Sequence, residues 1–502
     1  MGRGRRLLSW GGLKSGWRGR LGEVFGADLR SLALLRVALA GLVLCDVGLR
    51  ARDLTVFYSD AGVLPRAEYL ARVGEGWGWS LHLVSGAAWV QAGLFAVAAL
   101  AALAMLVGWR TRAATIVTWV LLCSVQQRNP LLEQGGDILL RVVLFWGMFL
   151  PLGARASVDR ARAGGGDGDG DGEAVRVVSV APVALLVQLV LVYWMTALWK
   201  DSAAWRSDGS ALYWALQIDQ YVSGVGRWLR GYPGALTVLT LVVFWFEVVG
   251  PCLLLSPWRT GLVRTVAIAG FVTLHVGVWL CLDIGLFPFV SAFVMVGLLP
   301  SWFWDAGVPR LGAALRGVER WLATRVHGRA GARAAGRLPR WAEALCAGCL
   351  VYVVWWNVAD LPGAPFGLPG RLHFVGRVLR LEQRWDMFAP APMRNDGWIV
   401  IVGRMGDGRE VDLLRGARAL SWQAPAQRGY VNQRWRRYLM NLVAPARRGY
   451  RGPYARWLCR RWREAGVQSL ELVFMRERTM PPGQAPELTR VPLWRETCAG
   501  AP

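Results

Sequence analysis

Long apolar runs restrict what this chain can fold into more than any other feature of its sequence. A bilayer core about 30 Å thick is crossed by roughly 20 mostly apolar residues in a helix. Nine stretches meet or approach that length, the third, fourth and eighth being the shortest: residues 31–49, 87–107, 113–123, 138–152, 177–199, 235–255, 261–282, 287–300 and 342–361. The pattern predicts an all-α polytopic membrane bundle of about nine transmembrane helices.

The composition excludes several other classes of protein. Charged residues make up only 18% of the chain, below the roughly 25% of soluble domains, which argues against a soluble enzyme and against a disordered chain. Eight cysteines in 502 residues are too few for a small disulfide scaffold. A net charge of +24 would suit nucleic acid, but membrane proteins collect arginine on their cytoplasmic loops for another reason. We therefore expect a lipid bilayer as the partner and no nucleic acid.

The positions of the basic residues predict the orientation. The first 20 residues carry several of them and lack an A-x-A site, which predicts a cytoplasmic N-terminus rather than a cleavable signal peptide. Alternation then puts the arginine-rich loops in the cytoplasm, and it puts four charge-balanced loops outside: 50–86, 124–137, 200–234 and 283–286. After nine spans the C-terminal region would lie outside the cell membrane.

This order divides the chain into a basic cytoplasmic N-terminus (1–30), the bundle (31–304), a basic cytoplasmic segment (305–341), the last transmembrane helix (342–361) and an extracytoplasmic region (362–502). The segment 305–341 is typical of a basic amphipathic helix on the anionic inner leaflet. The sequence GGGDGDGDG at 164–172 predicts a flexible tether. A calcium loop would also need a glutamate at its twelfth position and flanking helices.

The region 362–502 has the pattern of a small α+β domain. Residues 397–414 predict a β-hairpin around a Gly-Asp-Gly turn, and 469–476 predict a third strand. Between them, 433–443 and 454–465 look helical and very basic. We expect a cap outside the membrane, or a surface that meets lipid headgroups.

Ionisable residues inside the apolar runs are candidate functional groups, because charge in a membrane is costly and usually faces the bundle interior. They are Arg36, Asp46, Arg141, Glu247 and His275, with Lys200 and Asp283 at the ends of two runs. The alternative is that they form internal ion pairs that only fix helix packing.

Lys200 differs from the other basic residues. Only Lys14 and Lys200 are lysines among the 58 basic side chains. Arginine is not deprotonated in proteins, whereas a desolvated lysine can lose its proton and serve as a base. The alternatives are a side chain that snorkels to the membrane interface, or chance.

No metal site is predicted. The four histidines lack HxxxH and HExxH spacing, which argues against a zinc site. The CxxC pattern of Cys346 and Cys349 lies inside the ninth run without a second pair, so small-residue helix packing explains it better. The chain has no P-loop, no GxSxG elbow and no kinase signature.

Several motifs in order resemble the HTTM domain, the transmembrane domain shared by vitamin K-dependent γ-glutamyl carboxylase and many bacterial proteins. They include SLALLRVALAGLVLCD at 31–46, FYSD at 57–60, GVLP at 62–65, RNP at 128–130, GGD at 135–137, FLPLG at 149–153, Lys200 with Trp205, DG at 208–209, Glu247 with GP at 250–251, and His275 with IG at 284–285 and FP at 287–288. The resemblance covers about residues 24–305. WDMFAP at 385–390 and DGW at 396–398 are also similar to bacterial members.

The resemblance implies a site. In the carboxylase, a lysine at the place of Lys200 deprotonates vitamin K hydroquinone, and the epoxidation that follows drives carboxylation of peptide glutamates. It implies Lys200 as general base, His275 as an acid or orienting group, and Asn129 as a hydrogen-bond partner. Substrate-binding roles would fall to Trp205, Asp208, Arg141, Glu247 and Arg36. Reduced vitamin K or menaquinol would be the reduced co-substrate.

Departures from the family leave two main hypotheses. The carboxylase has Asn-His where this chain has Asn129-Pro130, and its lumenal region is much longer than 362–502. The first hypothesis is a membrane enzyme acting at its outer face on a quinol-like or peptide substrate. The second is a non-catalytic factor that binds or matures an exported peptide, as the related sporulation-delaying-protein-B-like proteins act in toxin maturation. A cleft shared by Lys200, Asn129 and His275 would favour the enzyme. A transporter is a third reading, but no internal repeat supports it.

Overall fold

The structure is a computed structural model that describes residues 19–73, 76–163, 175–326, 338–424, 430–480 and 484–498. The predicted basic tail up to residue 18, with Lys14, and the predicted tether 164–172 lie outside the described residues. So does the stretch 327–337 of the predicted amphipathic segment.

Each of the nine apolar runs contains a helix. The helices are α1 (Leu29–Ala51), α2 (Ala88–Val107), α3 (Thr111–Arg128), α4 (Gly135–Gly147), α5 (Val180–Trp199), α6 (Pro233–Leu254), α7 (Thr260–Cys281), α8 (Phe287–Val294) and α10 (Arg340–Ala359), with α9 (Pro309–Arg325) before the last. Six helices of the described residues are long and apolar enough to cross a membrane: α1, α2, α5, α6, α7 and α10. The chain is therefore an integral membrane protein.

The three shortest runs form shorter or more polar helices. Helix α4 has 13 residues, and α8 has eight before a 3-10 turn continues it to Leu298. Helix α3 has 18 residues, but its ends carry arginine and glutamine. By length and composition, six helices of the described residues are candidate spans, and nine spans remain a prediction.

The connections between helices gather at two opposite ends of the bundle. At the base end, Arg155 contacts Glu319 of α9, and the backbone N–H of Asp159 donates to Gly108. The cap end joins the loops 52–87, 129–134, 200–232 and 282–286 to the C-terminal region. The four loops that the arginine pattern predicts on the outer side therefore lie together.

Helix α5 is the most enclosed of the six long helices. Of the 18 residues that form its apolar stretch, 78% are buried, against 28% of the corresponding residues in α2 and in α7. A bundle in lipid has this pattern, because its outer helices turn apolar side chains towards the hydrocarbon. Residues on several faces of α5 can therefore contact other parts of the protein.

The C-terminal domain is a five-stranded antiparallel sheet with two helices, so the predicted α+β character is confirmed. The strand order is β5-β4-β3-β6-β7. The sheet strands are β3 (Asn395–Met405), β4 (Glu410–Asp412), β5 (Arg418–Ala419), β6 (Val467–Arg478) and β7 (Glu487–Thr497); β1 (Ala27–Asp28) and β2 (Arg176–Val177) pair separately at the base end.

The predicted hairpin corresponds to β3 and β4, and the predicted third strand to β6, whereas β5 and β7 were not predicted. The two predicted basic helices are α11 (Gln433–Val443) and α12 (Arg451–Arg461). A disulfide joins Cys459 of α12 to Cys498, just beyond β7.

Candidate functional site

Lys200 and Glu247 form a buried ion pair between α5 and α6. Lys200 is the C-cap of α5, and its Nζ lies 2.6 Å from Glu247 Oε2. Their exposed fractions are only 3% and 7%. The indole N–H of Trp194 donates to the Val248 carbonyl at 3.1 Å and fixes the two helices beside the pair.

An indole ring completes the surroundings of the ammonium group. Trp205 lies on a four-residue helix, Ala203–Arg206, and its ring centroid is 3.9 Å from Lys200 Nζ. A cation over a tryptophan face is attracted by the ring quadrupole, more strongly where water is excluded. The next predicted residue, Asp208, has a local role: its Oδ1 accepts from the backbone N–H and hydroxyl of Ser210, both at 2.8 Å.

His275 contacts α5 two helical turns before Lys200. Its Nε2 is 2.8 Å from the hydroxyl of Tyr193. Tyr193 precedes Lys200 by seven residues, or two helical turns, so the two share a helix face about 10 Å apart along the axis. The Nδ1 atom of His275 is buried and has no hydrogen-bond partner among the described residues. A polar ligand atom could supply that partner.

Asn129 is engaged elsewhere. Its Nδ2 donates to the Phe57 carbonyl at 3.4 Å, and its Oδ1 accepts from the backbone N–H of Leu131 at 3.3 Å. These contacts belong to the loops at the cap end. Among the described contacts, none joins Asn129 to Lys200 or to His275.

Arg36 lies at the opposite end of the bundle from Lys200. Its guanidinium donates to the carbonyls of Leu152, Arg155 and Ala156, at 3.0, 3.2 and 2.5 Å. These are backbone carbonyls of the loop after α4, and buried backbone carbonyls need hydrogen-bond donors. The contacts of Arg36 therefore hold the base end together, and no described contact brings it to Lys200.

Arg141 binds a loop that enters the bundle. Its Nε donates to the Arg380 carbonyl and its Nη2 to the Glu382 carbonyl, both at 2.9 Å. Its Nη1 contacts the carboxylate of Glu133. Burial would raise the pKa of Glu133, but the charges of Arg141 and Arg380 outweigh it and hold that pKa below its usual range.

We call residues 380–391 the strap. The side-chain amide of Gln188 donates to Gln383 Oε1 at 2.7 Å, and Trp356 Nε1 donates to the Gln383 carbonyl at 2.8 Å. Trp385 is 1% exposed. Non-helical backbone is tolerated inside a membrane protein only where protein or water satisfies it. Arg141 and Trp356 meet that requirement for the carbonyls of Arg380, Glu382 and Gln383.

The strap then runs along α5 to the Lys200 pair. Gln188 precedes Lys200 by 12 residues, about 18 Å of helical rise, which five or six residues of extended chain can cover. At its end, the indole N–H of Trp205 donates to the Phe388 carbonyl at 3.0 Å, and Ser202 Oγ donates to the Pro390 carbonyl at 2.7 Å.

The side chain of Phe388 packs into the apolar cluster around the pair, with Trp205, Ala204 and Phe244. The sequence drew attention to this segment only through its WDMFAP motif.

A further network of buried charges lies between the bundle and the C-terminal domain. Arg50 donates to Asp46, to Asp137 and to the hydroxyl of Tyr58, at 2.7, 2.7 and 3.0 Å. Arg434 of α11 contacts the other oxygen of Asp46. The sequence predicted that Asp46 is ionisable and buried but not that its partner lies in the C-terminal domain.

A separate cleft of about 280 Å³ lies between α1, α2 and α3. It is lined mostly by apolar side chains, with Arg50, His82 and Thr118 as its polar members. Burial lowers the pKa of His82 to about 4, and the neighbouring Arg128 and Arg50 add to that effect. The cleft does not reach Lys200.

We call the apolar and aromatic side chains packed around the Lys200–Glu247 pair the Lys200 chamber: Ala197, Ala204, Trp205, Phe244 and Phe388. An amine and a carboxylate at hydrogen-bond distance can share one proton. No group of three metal-ligating side chains occurs among the described residues.

The fold and the site together define an integral membrane bundle with a buried Lys–Glu pair under a strap. No protein-family model, no curated protein and no solved structure matches this chain.

Proposed function

We propose that this chain is an HTTM-type membrane enzyme in which Lys200 takes a proton from the hydroxyl of a quinol-type substrate. The observation that carries the proposal is the buried contact of Lys200 Nζ with Glu247 Oε2. The lysine that the resemblance marks as a base thus has a carboxylate that can hold its proton.

The pair explains why lysine would be required at this position. With the shared proton on Glu247, the amine of Lys200 is neutral and can accept another. An arginine would stay charged whatever its partner. The pair is thus suited to moving a proton, whereas an Arg–Glu pair would not be.

The surroundings suit a flat aromatic ring. Trp205 and Phe244 supply aromatic surface next to Lys200, and Phe388 covers it. His275 offers a buried ring nitrogen that lacks a partner. Reduced vitamin K or menaquinol has the hydroxyl proton and the ring that such a chamber would accept.

Turnover of a quinol tests the proposal. Purified protein in nanodiscs would be supplied with vitamin K hydroquinone or menaquinol, oxygen, a glutamate peptide and labelled CO2. We expect epoxide formation, and a loss of about 100-fold or more in Lys200→Arg, because general-base groups contribute rate factors of this size.

Lys14→Arg replaces the other lysine and serves as the matched control. Full activity in Lys200→Arg would contradict the role of the base, and no turnover by the unaltered protein would contradict the enzyme.

The second candidate is a non-catalytic factor for an exported peptide. It is favoured by the contacts of Asn129, which join Phe57 and Leu131 rather than Lys200, and by Pro130 at the place of the family's histidine. The C-terminal domain would then be the binding part. Photo-crosslinking from an exposed domain residue such as Met393 in producing cells would capture the peptide. A catalytic-site role would instead be indicated by quinol turnover without such a crosslink.

We also propose that the C-terminal domain is extracytoplasmic. It carries the disulfide Cys459–Cys498, and disulfides persist in oxidising compartments. The six other cysteines are free and lie in bundle helices. In intact cells, a membrane-impermeant maleimide added after reduction should label Cys459 and Cys498. Labelling only after the membrane is permeabilised would reverse the orientation.

Helix α9 fits an anionic leaflet at the base end. It exposes Leu311, Val318 and Trp321, and Arg325 lies 4.7 Å from the Trp321 ring centroid. Apolar and basic side chains on one short helix favour a position among anionic headgroups. Brominated lipids should quench Trp321 fluorescence, read as the difference from Trp321→Phe. Equal quenching of the two proteins would contradict this position.

A further inference from the structure

We infer that the tip of the strap, residues 387–391, gates the Lys200 chamber and that Phe388 is its plug. The inference rests on the proposed function for its meaning, since it describes how a substrate would reach that site. Its physical content, that the tip opens and closes over the chamber, can be measured without turnover.

The two halves of the strap are held very differently. Its root, 380–386, is bound by two hydrogen bonds from Arg141 and one each from Gln188 and Trp356. Leu381 and Trp385 in the root are fully buried. The tip has two hydrogen bonds to the segment after α5, from Trp205 and Ser202. The root can therefore stay in place while the tip moves.

The backbone of the plug favours such a movement. Phe388 has a φ of +56°, in the left-handed region. Residues with a bulky side chain avoid this region because their Cβ crowds the backbone. They adopt it only where surrounding contacts compensate for the strain. Packing of the Phe388 ring against Trp205 and Phe244 supplies that compensation. Once the ring leaves the chamber, the backbone of Phe388 can relax, so the open state is free of the strain that the closed state carries.

Trp205 couples the tip to the chemistry. Its indole N–H holds the Phe388 carbonyl, while its ring face lies against Lys200 Nζ. Opening the tip frees the indole and removes apolar cover from the ammonium group. Phe244 and Glu247 belong to α6 and Ala197 to α5, whereas Ala204 and Trp205 lie on the short helix Ala203–Arg206. The tip is a loop, so it is the wall that can move at least cost.

A buried reporter cysteine tests the gate. Ala204, which packs beside Trp205 and is 6% exposed, would be replaced in Ala204→Cys. The rate of its reaction with a small, charged, membrane-impermeant thiosulfonate would be read by peptide mass spectrometry. We expect Phe388→Ala to raise that rate about tenfold or more, because labelling follows the population of the open state.

Three controls make the result specific. Phe374→Ala removes an exposed phenylalanine away from the chamber and should leave the rate unchanged. Ser202→Val removes one bond of the tip and should give a smaller acceleration. Ala184→Cys, fully buried on α5, should stay unreactive when Phe388 is replaced.

Each outcome decides the question. Equal rates for position 204 with and without Phe388 would overturn the gate, as would parallel acceleration at position 184, since that would mean a loosened bundle. Faster labelling without any quinol turnover would keep the gate and reject the proposed substrate. Turnover with unchanged labelling would keep the enzyme and reject the gate.

Discussion

Two groups of buried charge in this protein, the Arg50 network and the Lys200 pair, differ in how completely they are paired. Between the bundle and the C-terminal domain, Arg50 is shared by Asp46, Asp137 and Tyr58, and Arg434 adds a second guanidinium to Asp46. Arginines cannot give up their protons, so the positive charges of this network persist whatever the pH. Such a network fixes one part of the molecule on another.

The Lys200 pair is simpler. Lys200 has one carboxylate partner and one ring face, and Glu247 contacts no second cation among the described residues. Either group can become neutral by moving a single proton. Burial alone therefore does not mark a functional charge. The informative feature is an ion pair in which the cation can pass its proton to its partner.

The largest effect should come from breaking the arginine network. Arg50→Met leaves Asp46 and Asp137 buried without their shared partner. Removing one member of a buried ion pair costs roughly 3–5 kcal/mol of unfolding free energy. Thermal and denaturant unfolding in detergent would measure this loss.

Arg404→Met is the matched control, because its pair with Glu410 is solvent-exposed and exposed pairs contribute only about 0–1 kcal/mol. Equal losses in the two variants would remove the distinction between the network and a surface pair.

Acid should weaken the same region through His82. Its folded-state pKa is lowered to about 4 from 6.5, so between these values the unfolded chain binds a proton that the folded protein excludes. Stability is therefore lost as the pH falls through this window, by about 3 kcal/mol for this one group. The unfolding free energy measured at pH 7, 5.5 and 4.5 should fall less steeply in His82→Gln than in the unaltered protein. The exposed His373→Gln is the control, and the same slope in all three proteins would exclude the role of His82.

The sequence predicted some of these features and not others. All nine apolar runs became helices, because an apolar run of that length has few other ways to satisfy its backbone in a membrane. Glu247 and Lys200 were both singled out as costly charges, but nothing in one sequence says that residues 47 positions apart meet. Single-sequence patterns also missed the strap: it has neither helical nor strand periodicity, and its partner Arg141 is about 240 residues away.

Lys200→Met should cost less stability than the loss of Arg50. Lys200→Met leaves one carboxylate, which can take a proton and become neutral, whereas Arg50→Met leaves two carboxylates, Asp46 and Asp137. We expect a loss of about 1–2 kcal/mol, the cost of an unsatisfied buried polar group, together with the loss of quinol turnover. Unfolding of Lys200→Met, Glu247→Gln and the double variant would give the coupling between the two groups. A loss as large as that of Arg50→Met would make the pair a structural element like the network.

The smallest expected effect comes from the hydrogen bond by which Trp205 holds the strap over the Lys200 pair. Trp205→Phe keeps an aromatic face for Lys200 but removes the N–H that binds the Phe388 carbonyl. Trp194→Phe is the matched variant, because it removes the indole bond to Val248 between α5 and α6. Each should lower the unfolding free energy by about 1 kcal/mol, the usual contribution of one hydrogen bond. Only Trp205→Phe should speed labelling of the reporter cysteine at position 204, because only its bond closes the strap. If both variants accelerate labelling equally, the chamber opens by separation of the helices, and the weak enclosure of Lys200 belongs to the bundle rather than to the strap.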